Sequence, residues 1–247
     1  MMEFYQILKG EFLKQRKSFT WPIALLIPIL AGGLSFINLL LRYDYLIGLE
    51  ANKGLSSWNI LLLQHHFLWF FFLSLVVTIF ASMVHYIEYR SNGWKSTLAL
   101  PVSKMKVYFA KWFLAFILST IMILINGVVL LIAGIALRFP ETVDLILILK
   151  YTLYQIVSIT SLISIQCFIS SEINNTNIAL TIGFVGVASS LFFAQSEKLS
   201  KIIPYAHIMY TLPDSTINNG IPLQYGSVIS ILFLLIGFIF FNRKEIC

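Results

Sequence analysis

Six stretches of this chain contain no Asp, Glu, Lys or Arg, and each is at least 21 residues long. They run over 18–41, 54–87, 112–137, 151–171, 173–196 and 215–242. About 20 apolar residues in a helix cross the hydrocarbon core of a bilayer. In lipid only a helix or a closed barrel bonds all of its own backbone. Charged residues make up 11% of the 247, against roughly 25% in a soluble domain. The sequence therefore predicts an all-α integral membrane protein, one six-helix domain over 1–247. Its spans fall near 20–41, 58–84, 107–137, 145–170, 177–193 and 225–242. The first run is too long for the apolar part of a signal peptide and is read as a retained span. Cys167 and Cys247, one in a span and one at the extreme end, suit reduced or inert thiols rather than a disulfide.

Orientation follows from Lys and Arg in the connections, which collect on the cytoplasmic side. Lys9, Lys14, Arg16 and Lys17 precede the first span, and Arg90, Lys95, Lys104, Lys106 and Lys111 follow the second. Arg243 and Lys244 follow the sixth. The opposite connections hold six basic residues with six acids: Asp44, Glu50, Glu141, Asp144, Glu197 and Asp214. Both termini are thus expected in the cytoplasm of a multi-pass protein of the cell membrane. The net charge of +6 then serves orientation and contact with anionic lipid, and nucleic acid is not an expected partner.

Three connections carry more than linkage. In 1–18, Phe4, Leu8 and Phe12 recur four apart beside Ile7 with basic residues between them, the pattern of an amphipathic helix lying on the membrane interface. In 85–106, cations alternate with Trp94, Leu98, Leu100, Val102 and Met105, a mix suited to a helix that lies on the membrane interface or docks on a partner. The outer connection 194–224 holds three prolines and an apolar run too short to span, so it is expected to be re-entrant or interfacial. Within the spans, Gln155, Ser158 and Gln166 share one face, as residues that bond helices together or line a translocation path. Ala179 with Gly183 and Gly186 with Ser190 allow close helix approach, inside the chain or to a second subunit. Pro22 and Pro28 are expected to kink the first span. His65 and His66, lacking the four-residue spacing of a ligand pair, are read as interfacial residues without a function.

The motifs of nucleotide binding, serine hydrolysis and zinc proteolysis are absent. No acid or base lies mid-span, where ion-coupled carriers keep one. No metal or catalytic site is expected on this chain, and any transport would draw its energy from a separate protein.

Glu88, Arg90, Gly93-Trp94-Lys95, Leu98, Leu100-Pro101, Ser103 and Lys104 resemble the cytoplasmic segment after the second span of type 2 ABC transporter permeases. The overall layout resembles the small permease subunits of lantibiotic self-protection systems, which are bacterial. The resemblance implies a pair of permease subunits, alike or paired with a sister, and two copies of an ATPase that holds ATP and Mg. It implies docking of the segment on that ATPase. Glu88 would anchor it, Arg90 would belong to the same cationic surface, and Gly93 would allow the bend. Trp94, Leu98 and Leu100 would give apolar contacts, Pro101 would end the turn, and Lys95 and Lys104 would lie beside acidic groups. It also implies that a lantibiotic or related peptide is expelled from the membrane. Rival readings are an exporter of another drug or lipid, a membrane sensor or scaffold, and an enzyme acting on lipid through His65 or His207.

Overall fold

The structure is a computed structural model that describes residues 2–90, 93 and 102–243. Among these there is no strand. Helix α1 (Met2–Gln15) precedes α2 (Thr20–Gly48), α3 (Ser57–Arg90), α4 (Lys104–Ala136), α5 (Leu145–Glu172) and α6 (Thr176–Ala194). Two short helices follow, α7 (Glu197–Ile202) and α8 (Pro204–His207), then a 3-10 turn, Ile208–Thr211. A π turn, Ile221–Tyr225, leads into α9 (Gly226–Arg243). Among the described residues, six stretches are long and apolar enough to cross a membrane: α2 to α6, and Ile221–Arg243. The six expected spans are therefore all present.

Helix α3 is enclosed by α2, α4, α5 and α6, which is why it is buried on most sides. Its 34 residues extend about 50 Å at 1.5 Å per residue, well beyond the roughly 30 Å of a hydrocarbon core. Helix α4 is nearly as long, with 33 residues. Each is therefore longer than the hydrocarbon core requires. The break in α2 falls at Arg42 (φ −128°, ψ 18°) rather than at either proline. Pro22 lies in the first turn, where no intrahelical donor is lost, and Pro28 is buried inside a continuous helix.

The connection between α6 and α9 turns back into the bundle. Tyr205 donates to Gln166 Oε1 at 3.0 Å, and His207 shares a 2.9 Å bond with Ser161. Ser161 and Gln166 of α5 lie about 24 and 31 Å along the axis from Leu145, at 1.5 Å per residue. The segment is re-entrant, not interfacial. Irregular backbone at that depth has to be bonded, and it is. The Asn219 amide donates to Tyr210 O and Leu212 O, both at 2.8 Å, and His66 Nε2 bonds Met209 O at 3.0 Å.

Candidate functional site

The ends of α3 and α4 that flank 91–103 carry the described part of the predicted coupling segment. Glu88 and Arg90 lie in the last turn of α3, and Lys104 opens α4. Gly93 is described; Trp94, Lys95, Leu98, Leu100 and Pro101 lie outside the described residues. Arg90 is exposed, whereas Glu88 is 2% exposed and turned into the protein. Lys104 donates to Asn242 O at 3.4 Å, placing a cation on the last carbonyls of α9, where the helix dipole favours one.

Glu88 is held in a cluster of four charges from three helices. Lys111 Nζ donates to Glu11 Oε2 at 2.7 Å, to Val84 O at 2.9 Å and to Glu88 Oε1 at 3.1 Å. An ammonium has three donors, and all three are used. Lys14 Nζ donates to Glu88 Oε1 at 2.5 Å and to Glu11 Oε1 at 2.7 Å. Lys111 is fully buried and Glu11 is 3% exposed. Burial alone would lower the pKa of Lys14, but Glu11 and Glu88 outweigh it and hold the ammonium above the ordinary lysine value. Among the described residues, two cations meet two carboxylates and their charges balance. That is how buried charge is tolerated.

The cluster fastens α1 to the bundle. Around it, Phe4 packs on Phe109 and Phe113 with ring centroids 5.5 and 6.3 Å apart. Glu3 pairs with Lys106, and this contact first of all holds the Glu3 carboxyl below its usual range. The apolar stripe of α1 thus rests on α4 and the core. Glu11 and Gln15 lie on the same side. From the sequence, Lys111 reads as one of five cations on a surface segment; the structure buries it. The overlooked signal is spacing. Lys111 continues the buried row Val107, Leu114 and Leu118 of α4, and Glu11 lies seven residues after Phe4.

Higher in the bundle, polar side chains tie the helices together. Trp69 donates to Gln155 Oε1 at 3.1 Å. Gln166 donates to Ser82 Oγ at 3.0 Å and to Ala179 O at 2.9 Å while accepting from Tyr205. Gln155, Ser158 and Gln166 are all buried within this chain. His65 and His66 are not interfacial: they are 0% and 4% exposed. His65 shares a 2.9 Å bond with Ser35, and His66 one of 3.1 Å with Tyr151. Adjacent residues on one helix are both buried because α3 has neighbours on most sides.

The small residues of α6 face neighbours in the same chain. A methyl group at Gly183 would stand 2.3 Å from Thr78 Cγ2, and one at Gly186 would stand 2.6 Å from the Tyr205 ring. Both glycines therefore mark close approach, to α3 and to the re-entrant segment. Ala179 and Ser190 are fully buried on the same helix.

The sequence profile described as ABC-2 family transporter protein matches residues 7–190. The chain belongs to that family. The match includes α1 from Ile7 onward, the charge cluster and both roots of the 91–103 connection, and ends before the re-entrant segment. An ABC-2 permease is the membrane subunit of an ABC transporter, works with a separate ABC ATPase subunit and is not by itself a catalytic enzyme. No curated protein matches the chain in sequence.

Proposed function

We propose that this ABC-2 permease couples ATP hydrolysis on its partner to the export of a cationic antimicrobial peptide of the lantibiotic class, giving the producing cell self-protection. Both termini and the 85–106 segment face the cytoplasm, as the distribution of Lys and Arg favours. Trp94, Leu98, Leu100 and Pro101 dock on the ATPase, with Arg90, Gly93, Lys95 and Lys104 beside them. Glu88 acts one step back, by fixing the root of the segment to α1 and α4. The observation that carries the coupling role is the Lys111 cluster: α1, α3 and α4 are joined at the two roots of one connection, so a pull on that connection reaches all three. ATP binding shifts the permease between inward-facing and outward-facing forms only if the docked surface binds the two ATPase states with different free energy. Two such permease subunits, alike or related, complete the pore.

The peptide cargo is supported by the resemblance of the layout and by charge. An outer cleft of about 310 Å³ is lined by Asp144 and Asp214 with Tyr154, Asn219 and Lys150, a setting that suits a cationic peptide. Mild-detergent pulldown with identification of the cytoplasmic chain, followed by peptide-protection assays, tests the proposal. Leu98→Asp should abolish co-purification with the ATPase, and Glu88→Lys should weaken it by loosening the root. Intact complex and full transport in both variants would refute coupling through this segment. Protection that survives neutralising Asp144 and Asp214 would remove them from the cargo route, and transport of a drug or lipid in place of the peptide would overturn the cargo.

A further inference from the structure

Beside the charge cluster, the elbow between α1 and α2 meets the last two turns of α3 around a cleft of about 490 Å³. Met83, Tyr86, Ile87 and Arg90 line it from α3, and Lys17 and Phe19 from the elbow, with Ser18 and Lys14 at the edge. The α3 residues are spaced i, i+3, i+4, i+7, one stripe of a helix, and this stripe is the half-exposed one between the buried Val84, His85 and Glu88. Its chemistry grades along the axis. Met83 lies toward the membrane, Tyr86 and Ile87 follow, and Arg90 stands at the inner end.

Charge in the cleft is one-sided. Lys14 answers Glu11 and Glu88, and Lys111 shares both carboxylates. No carboxylate lines the cleft, and neither Lys17 nor Arg90 is in an ion pair among the described residues. Two cations therefore remain at the head of a slot whose walls are apolar. Phe19 adds an aromatic ring 78% exposed at the start of α2, at the level where the chain enters the membrane. A phosphodiester needs cationic donors at that end, and its acyl chain needs apolar wall below them.

We infer that this cleft is a binding site for one anionic phospholipid, its phosphate between Lys17 and Arg90 and an acyl chain along Phe19, Ile87 and Met83. A headgroup there bridges the α1–α2 elbow to the inner end of α3, adding a lipid clasp next to the Lys111 cluster, with Lys14 between the two. The site does not depend on the cargo of the transporter, and Arg90 is the residue it shares with the proposed ATPase contact.

The test uses the full chain reconstituted in phosphatidylcholine vesicles containing phosphatidylglycerol of matched acyl length, then released into mild detergent for native mass spectrometry. The expected result is one retained phosphatidylglycerol per chain in preference to phosphatidylcholine. Each cation near an anionic surface is worth about a factor of five, so Lys17→Gln with Arg90→Gln should cut that preference about 30-fold. Lys17→Arg with Arg90→Lys should keep it, which separates loss of charge from loss of fold. Lys9→Gln with Arg16→Gln removes equal charge from exposed positions outside the cleft and should leave retention nearly intact. An equal fall in that control would mean diffuse attraction and overturn the site. Displacement of the lipid by millimolar inorganic phosphate would likewise overturn a lipid site in favour of a free-anion site.

Discussion

Replacing Lys111 with Met is the sharpest perturbation of the coupling region. The ammonium is fully buried and is the only cation bonded to both Glu11 and Glu88 from within α4. Removing one partner of a buried ion pair costs about 3–5 kcal/mol because the other charge is left without compensation. Lys14 remains bonded to both carboxylates and offsets part of this, so the lower end, about 3 kcal/mol, is the expected loss. That energy holds α1 against α3 and α4, so it should be read as local opening. At about 1.4 kcal/mol per tenfold, amide hydrogen exchange across α1 should speed up by roughly two orders of magnitude. Exchange in the middle of α4 and α5 should stay slow. The measurement is hydrogen–deuterium exchange on the full chain in lipid nanodiscs, resolved to peptides of the first 15 residues. Combining Lys111→Met with Glu11→Gln leaves Glu88 paired with Lys14 and should restore most of the protection. Unchanged exchange in the single variant, or no recovery in the double, would refute the assignment of the cluster as the fastening of α1.

Further outcomes follow from other contacts. Gly186→Ala should cost about 1–3 kcal/mol by forcing the Tyr205 ring away, as overpacking does, and Tyr205→Ala should absorb most of that penalty in a double-mutant cycle of unfolding in detergent. Burial would raise the Glu141 carboxyl, but the Ser57 backbone N–H and hydroxyl outweigh it and hold it below the ordinary glutamate value. Its stabilisation is therefore present above that ordinary value and is lost as the pH falls through the lowered one. Melting profiles against pH should show this acid loss in the parent and lack it in Glu141→Gln. Single cysteines at Lys17 and at Asp214, in a chain whose native cysteines are replaced, should label from opposite faces of sealed vesicles, Lys17 from the cytoplasmic side.

Much of the fold is legible in the sequence because lipid leaves the backbone few choices. Six charge-free runs of spanning length become six spans, and an apolar run of 11 residues over 202–212, too short to cross, becomes a segment that enters and returns. The site is less legible. Glu11, Glu88 and Lys111 are 77 and 23 residues apart in sequence, and nothing local says that the three meet. Charge patterning places Lys111 with its solvated neighbours, whereas the apolar row it continues in α4 places it in the core. The histidines mislead for a related reason. A pair of adjacent polar residues near a span end reads as interfacial when a helix is assumed to have one wet or lipid side, and α3 is surrounded. The small residues of α6 announce a close approach, but only the packed chain shows Tyr205 and Thr78 as what approaches.

The Lys111 amine measures two distances at once, one to each of two carboxylates contributed by different helices. Amino-terminal segments exchanged between this permease and a sister chain would thus be compatible only when positions 88 and 111 travel with residues 11 and 14. Four scattered side chains form a single heritable unit, and a library that shuffles the first eighteen residues alone should yield mostly loosened chimeras.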